Sequence, residues 1–185
     1  MLEEEVSHLA VDLKKGKIGI FPCDTVWGFL GIATEDVAHR LYHLKQRPTS
    51  LPMIVLIPNK KWLIRLQHTL NTAQVNATQT MWPGPITLVL PRPDWVVSTV
   101  TGGADTVACR FPHFDPLNRL LDQLDYPVMS TSVNRSGESP LHEPSEIQAL
   151  WGDKVDFFED RWVPPLRKPS VIWDYTVAPP RMIRS

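Results

Sequence analysis

The 185-residue sequence contains only two cysteines, Cys23 and Cys109, and they lie far apart. They form no CxxC pair, which argues against a disulfide framework and against a structural zinc site. No apolar run approaches the roughly 20 residues that a membrane-spanning helix needs. The opening stretch MLEEEVSHLAVDLKKG is acidic and then amphipathic, whereas a signal peptide is basic and then apolar. We therefore expect a cytoplasmic protein without a membrane segment.

The sequence also lacks an excess of charge of either sign. Its formal net charge is −1, so no basic field over the whole chain indicates nucleic-acid binding, although a local basic patch is compatible with this balance. GxGxxG and GxxxxGK[ST] are absent, which excludes the Rossmann and Walker phosphate-binding loops. HExxH, GxSxG and a histidine or cysteine ligand spacing are absent as well. These absences argue against a metal hydrolase and against a covalent-nucleophile enzyme, and they predict no organic cofactor.

The residues that are present suffice for a folded α/β domain. Apolar residues make up 43% of the chain, enough for a sizeable core. Hydrophobic periodicity predicts helices and strands that alternate irregularly, which indicates one domain over residues 1–185 with a twisted, mixed sheet flanked by helices. The predicted helices lie near 6–13, 35–45, 60–68, 71–81, 115–124 and 144–152, and the predicted strands near 17–21, 52–57, 86–90, 106–111, 126–132, 155–158, 170–174 and 181–184.

The segment FPCDTVWG (21–28) presents polar residues after a predicted strand and before a turn at Gly28. It is either a turn with a capping aspartate or one wall of a small-molecule pocket. A cysteine nucleophile requires a base and an electropositive setting, and the sequence offers Cys23 no identifiable partner. We therefore expect Cys23 to be a small buried residue.

Two cations separated by one residue end a predicted helix. Lys45 and Arg47 stand in the segment LKQRP, where Pro48 biases Arg47 towards an extended backbone. They could complement the negative end of the helix dipole, but that explains one cation better than two. Two cations at a stiff junction suit a polyphosphate, because arginine binds oxygens through two donors and lysine acts as a point charge. The spacing therefore favours phosphate binding.

An arginine interrupts the otherwise apolar strand predicted in DTVACRF (105–111). Period-two alternation places Thr106, Ala108 and Arg110 on one face of this strand. A guanidinium in apolar surroundings needs an anionic partner. The sequence leaves two partners open, an acid of the chain itself or the carboxylate of a substrate.

Short hydroxyl and amide side chains gather where another predicted strand ends. Ser130, Ser132 and Asn134 recur at period two in MSTSVNRSG (129–137), which suits recognition of ribose, phosphate or an amino acid. A serine-rich turn is the alternative. Ser170 begins one later predicted strand and Arg184 ends the next. If these two strands pair around the segment APP, the two residues lie in the same region.

Six motifs, in the same order, resemble those of the YrdC-like threonylcarbamoyl-AMP synthases, the bacterial TsaC type. They are FPCDTVWG, LKQRP, WPGPITLVL, DTVACRFP, STSVNRSG and PSVIWD…RMIR, and the resemblance extends from about residue 5 to 184. It implies a nucleotidyltransferase that combines L-threonine, bicarbonate and ATP into L-threonylcarbamoyl-adenylate and pyrophosphate. Other proteins would then transfer the threonylcarbamoyl group to tRNA. The implied fold is a YrdC-like α/β domain with a twisted sheet around a concave, positively charged cavity.

The resemblance also implies roles for particular residues. Lys45 and Arg47 match the family's phosphate-contacting pair and are the expected catalytic residues. The further ATP-binding residues are expected to be Thr106, Ser130, Asn134 and Arg184. The threonine-binding residues are expected to be Thr25, Arg110, Ser132 and Ser170, with Arg110 binding the carboxylate. Mg²⁺ is expected to arrive with ATP, no metal-ligating residue is predicted, and direct tRNA binding is left open.

The sequence departs from the family pattern at two positions. Leu51 replaces the lysine or asparagine that many members carry four residues after the arginine, which removes a polar contact to phosphate or ribose, and Cys23 replaces threonine. Two alternatives to the synthase stay open. One is a non-catalytic RNA-binding or regulatory module, which the near-neutral charge disfavours because RNA binding is mostly electrostatic. The other is a related nucleotide-dependent carbamoyl-transfer enzyme for another amino acid.

Overall fold

One mixed sheet organises the protein. The computed structural model describes residues 2–185, and its strands are β1 (Gly19–Pro22), β2 (Trp27–Ile32), β3 (Ile54–Leu56), β4 (Ile86–Pro91), β5 (Thr106–Arg110), β6 (Val128–Ser132), β7 (Phe157–Phe158), β8 (Val171–Asp174) and β9 (Arg181–Arg184). They pair in the order β7-β1-β2-β6-β3-β5-β4-β8-β9. The pairs β1–β7, β3–β5 and β4–β8 are parallel and the others are antiparallel. The predicted α/β class with a mixed sheet is confirmed.

The helices lie close to their predicted positions. They are α1 (Leu2–Lys14), α2 (Glu35–Lys45), α3 (Lys60–Gln67), α4 (Thr72–Met81), α5 (Asp115–Leu124) and α6 (Pro144–Trp151). Pro116 lies in the first turn of α5, as predicted, because the first-turn N–H groups have no helical partner to lose. The N-cap of α5 is Phe114, and its N–H donates to Asn118 Oδ1 at 2.8 Å. Within residues 2–185 no helix has the length and apolar character needed to cross a bilayer.

The main error of the sequence prediction is strand β2, where only a turn at Gly28 was expected. The chain reverses at residues 23–26, and β2 then pairs with β1 in antiparallel register, Pro22 opposite Trp27. A Cβ at Gly28 would lie only 2.9 Å from Ser130 Oγ and 3.0 Å from Cys23 Sγ. Glycine at this position is therefore not a strand breaker. It lets the side chains of β6 and of the reversing turn approach the β2 backbone closely.

The two faces of the sheet carry different layers. Strand residues such as Phe29 and Val55 point to one face and pack with α2, α3 and α6 in the larger core cluster. The next residues along the same strands, Leu30 and Leu56, point to the other face and pack against α1 and α5. Helices α1 and α5 cover only part of that second face. The uncovered part forms the cavity described below.

Candidate functional site

A cavity of about 450 Å³ lies on the second face of the sheet, beside α1 and α5. Its floor is formed by residues that alternate with the core residues of the same strands, among them Gly28, Ile54, Ala108 and Ser130. Gly28, Ala108 and Ser130 have small side chains, which leave room above this part of the sheet. The volume lies within the range of roughly 300–1,000 Å³ that is typical of small-molecule sites.

Eight of the predicted site residues line this cavity. They are Thr25, Arg47, Arg110, Ser130, Ser132, Asn134, Ser170 and Arg184. The other two, Lys45 and Thr106, do not line it. Thr106 starts β5, on the same face as Ala108 and Arg110 but at the far end of the strand. Lys45 was expected to contact phosphate, but it is not among the residues that line the cavity.

Lys45 is buried behind the cavity wall, with only 1% of its surface exposed. Its ammonium donates to the carbonyl of Ser132 and to Asn134 Oδ1, the latter at 3.0 Å, and it lies 5.5 Å from the centre of the Phe29 ring. Burial, aided by the nearby charge of Arg47, lowers the pKa of Lys45 to about 7. Lys45 does not touch the cavity itself, but it is hydrogen-bonded to Ser132 and Asn134, which line it.

Asn134 fixes the chain that follows β6. Its Oδ1 accepts a hydrogen bond from Ser132 Oγ at 2.6 Å, and its Nδ2 donates to the carbonyls of Arg135 and Glu138 at 2.8 and 2.7 Å. The side-chain amide thus folds residues 134–138 into a tight loop, which brings Glu138 to the cavity lining. Together with Lys45, Asn134 forms a hydrogen-bonded frame under this edge of the site.

The guanidinium of Arg47 is held by backbone carbonyls of the loop that precedes β3. Its Nε donates to the Leu51 carbonyl at 3.3 Å and its Nη2 to the Pro52 carbonyl at 2.9 Å. Burial lowers the pKa of Arg47. The Leu51 side chain is exposed, so the departure from the family pattern alters the surface of this loop and leaves the carbonyl that binds Arg47 unchanged.

Arg110 pairs with an internal acid and also lines the cavity. Its Nη2 lies 3.2 Å from Asp24 Oδ1, and both residues are only 3% exposed. The pair is poorly aligned for hydrogen bonding, because Arg110 Nε and Asp24 Oδ1 lack a hydrogen-bond partner among residues 2–185. The two partners that the sequence left open are therefore not exclusive. One part of the guanidinium faces Asp24, and the residue still borders the cavity.

The C-terminal strands add a third arginine. The predicted pairing of the last two strands is confirmed, and it places Arg184 opposite Ile172. Arg184 Nε and Nη2 donate to the Ser170 carbonyl at 3.1 and 2.9 Å, while Ser170 Oγ lies 2.8 Å from Thr87 Oγ1. Burial and the nearby charge of Arg110 lower the pKa of Arg184. The two guanidinium groups therefore repel each other, and an anion between them would relieve that repulsion.

Sequence reasoning missed two charged residues of the site, Asp24 and Glu138. Asp24 stands in the quoted motif FPCDTVWG, but a capping aspartate explained it equally well. Glu138 is the one carboxylate among the residues that line the cavity, and nothing in its sequence context marked it. Within the described part of the chain, no three His, Cys, Asp or Glu side chains are placed to hold a metal ion.

Comparisons with known proteins agree on one family. A family model described as Sua5/YciO/YrdC, telomere recombination, matches residues 12–185. The chain is 31% identical over 174 residues to the threonylcarbamoyl-AMP synthase of Pyrococcus abyssi, covering 93% of this chain and 51% of that protein. It is 33% identical over 159 residues to the synthase of Idiomarina loihiensis, covering 84% of each.

A solved structure of Pyrococcus abyssi Sua5 complexed with L-threonine has the same fold. It matches with a TM-score of 0.91 and 29% identity, covering 98% of this chain and 54% of that one. The chain therefore spans about half the length of the Pyrococcus relative and most of the Idiomarina relative.

Proposed function

Because the chain belongs to the Sua5/YciO/YrdC family, we propose that it is an L-threonylcarbamoyl-adenylate synthase. Its substrates are L-threonine, bicarbonate and ATP, and its second product is pyrophosphate. The observation that supports this most strongly is that Arg47, Arg110 and Arg184 line one cavity together with serine hydroxyls. Three guanidinium groups in one concavity suit a ligand with several negative charges, such as a triphosphate together with an amino-acid carboxylate.

The proposed reaction needs no nucleophile from the protein. The amino group of threonine and bicarbonate form a carbamate with loss of water. A carbamate oxygen then attacks the α-phosphorus of ATP, the new P–O bond forms, and the bond to the bridging oxygen of pyrophosphate breaks. The protein has to align the reactants and offset the charge that develops on the phosphates. In this scheme Arg47 binds phosphate and Arg110 binds the threonine carboxylate, while Mg²⁺ enters with ATP as part of that substrate.

The synthase also requires partners outside the cavity. We propose that the adenylate passes in the cytoplasm to proteins that transfer the threonylcarbamoyl group to tRNA. Bicarbonate is the proposed carbon donor. The family membership supports these partners, since relatives of the chain carry the name threonylcarbamoyl-AMP synthase.

Pyrophosphate release tests the proposed function directly. With MgATP, bicarbonate and L-threonine together, we expect continuous pyrophosphate release, and omission of any one of them should stop it. Serine, valine and allo-threonine in place of threonine test the alternative of another amino acid. Pyrophosphate release that is independent of any amino acid would contradict the proposal.

The arrangement of the arginines disfavours the RNA-binding alternative. An RNA-binding module would spread its cations along an open groove that follows the backbone. Here Arg47, Arg110 and Arg184 line one cavity instead. Tight binding of single-stranded RNA together with absent pyrophosphate release would favour that alternative.

Replacing Arg47 with alanine should raise the KM for ATP. Loss of a charge-assisted phosphate contact costs roughly 1.5–3 kcal/mol, which corresponds to about ten- to a hundredfold. The KM for threonine should change little. Arg40→Ala is the control, since Arg40 lies on α2, the helix that ends just before Arg47, and pairs with Asp156 away from the cavity. Equal ATP KM values in the Arg47→Ala variant and the wild type would remove Arg47 from the ATP site.

Cys23→Ser should retain pyrophosphate release, because the proposed reaction has no covalent protein intermediate. Cys23 borders the cavity, but it is 1% exposed and burial raises the pKa of its thiol to about 11, so little thiolate is present at neutral pH. The serine hydroxyl would have Ser130 Oγ and the Phe21 carbonyl as neighbours. A folded but inactive Cys23→Ser protein, or inactivation by alkylation of Cys23 alone, would contradict the non-covalent mechanism.

A further inference from the structure

Arg110 makes unusually few contacts for a buried guanidinium. It has five N–H donors, yet its contact within the described residues is the poorly aligned pair with Asp24 at 3.2 Å, and its Nε is buried without a hydrogen-bond partner. Buried polar groups are nearly always hydrogen-bonded, and an exception calls for a ligand or a functional reason. Arg110 therefore has donors to spare for a carboxylate.

Asp24 is held in place independently of Arg110. It lies in the tight reversal between β1 and β2, where the Cys23 N–H donates to the Val26 carbonyl at 3.2 Å. Its Oδ2 is 3.5 Å from the His113 N–H, which donates to it from the loop after β5. Asp24 is not among the residues that line the cavity, whereas its partner Arg110 is. Its side-chain link to the cavity lining is the contact with Arg110.

Arg110 shares the cavity with a second cation, Arg184. The charge of Arg184 lies close enough that the two guanidinium groups influence each other. A counter-charge beside Arg110 offsets this repulsion. Asp24 supplies that counter-charge, with its Oδ1 at 3.2 Å from Arg110 Nη2.

We propose that Asp24 is a positioning residue for binding of the substrate carboxylate. It holds the Arg110 guanidinium at the cavity wall and leaves the Nε of Arg110 without a hydrogen-bond partner. The inference rests on the proposed function, in which Arg110 binds the carboxylate of threonine. Asp24 makes the orientation of Arg110 part of the unliganded structure, so less ordering is required when the amino acid binds.

Asp24→Asn tests this role, because it keeps the size of the side chain and removes its charge. We expect the KM for threonine to rise roughly tenfold, the scale seen when a residue that orients a binding group is removed. The KM for ATP and kcat should stay nearly unchanged, and Asp24→Glu should restore part of the threonine affinity. The rise in melting temperature on adding threonine gives a readout that does not depend on turnover. In Asp24→Asn, the threonine concentration that gives half of the maximal rise should be about tenfold higher than in the wild type.

Asp174→Asn is the matched control. Asp174 is also a buried acid, 5% exposed and paired with an arginine at 3.3 Å, but it does not line the cavity. It should lower the melting temperature without changing the KM for threonine. A threonine KM in Asp24→Asn that equals the wild-type value, or a parallel rise for both substrates, would overturn the inference.

A second variant separates positioning from general destabilisation. Asp24→Asn introduced into an Arg110→Lys background should raise the KM for threonine little further, because the guanidinium whose orientation Asp24 fixes is already gone. Additive effects of the two substitutions would contradict the inference. If the wild type itself shows no threonine-dependent pyrophosphate release, the proposed function fails, whereas an active wild type with an unaffected Asp24→Asn variant overturns only the role of Asp24.

Discussion

Arg110→Lys should raise the KM for threonine about ten- to a hundredfold and leave the KM for ATP nearly unchanged. Lysine keeps the positive charge but cannot present two parallel N–H donors to a carboxylate. Separate titrations of threonine and ATP in the pyrophosphate assay measure the two constants.

Thermal unfolding of two Arg110 variants distinguishes the ion pair from substrate binding. Arg110→Lys leaves a cation near Asp24, so we expect a small loss of stability. Arg110→Met leaves the Asp24 carboxylate buried without a counter-charge, which typically costs about 3–5 kcal/mol. A large loss of stability in Arg110→Lys with an unchanged threonine KM would identify Arg110 as a structural ion-pair residue and would place the amino-acid pocket elsewhere.

Strand periodicity predicted the side of the sheet on which the site lies. Ser130 and Ser132 alternate with Met129, and Arg110 alternates with Cys109, so the polar and core faces could be read from sequence. The structure confirms this alternation. Periodicity works here because alternate residues of a strand point to opposite faces of the sheet. One face is buried in the core, and the part of the other face that α1 and α5 leave uncovered borders the cavity.

The sequence could not reveal contacts between residues that are distant along the chain. Asp24 and Arg110 are separated by 86 positions, and the polar motif around Asp24 is explained equally well by a turn. Strand β2 was missed for a related reason, since Gly28 reads as a turn residue until the close approach of Ser130 Oγ is known. In both cases the decisive neighbour comes from another part of the sheet.

Lys45 shows the same limit for burial. At a helix end beside Arg47, it was expected to contact phosphate, yet its ammonium reaches inward to Asn134, 89 positions away. The aliphatic stem of a lysine can pack against apolar residues while its ammonium points either to solvent or to buried hydrogen-bond acceptors. The position of the hydrogen-bond acceptors in the folded chain decides whether the ammonium is exposed or buried.

Lys45→Met should abolish most of the pyrophosphate release while leaving the protein folded. Methionine fills similar space but gives no donor to the Ser132 carbonyl or to Asn134, so the frame under the cavity edge loses its shared donor. We expect a loss of about a hundredfold, because the hydrogen bonds to Ser132 and Asn134 disappear together with the charge that Lys45 carries in its protonated form. The melting temperature should fall modestly, because the Ser132 carbonyl loses its lysine donor while Asn134 Oδ1 still accepts from Ser132 Oγ at 2.6 Å.

The pH dependence of stability provides the signature of this lysine. Its pKa is lowered from 10.5 to about 7 in the folded protein, so between these values the unfolded chain binds more protons than the folded one. The free energy of unfolding of the wild type, measured relative to Lys45→Met, should therefore rise with pH from about 7 to 10.5 and stay constant below that window. Denaturant unfolding of both proteins at a series of pH values measures the difference.

ATP binding should raise the pKa of Lys45 and so protonate it. The negative phosphates favour the charged form of a nearby amine, so above pH 7 the wild type should take up a proton when MgATP binds. Calorimetric titrations in two buffers with different ionisation enthalpies measure that uptake, and Lys45→Met should show correspondingly less. The same uptake in both proteins would assign the proton to another group. No uptake in the wild type, together with a stability difference that does not depend on pH, would mean that Lys45 remains charged in the free protein and is fixed there as a structural cation.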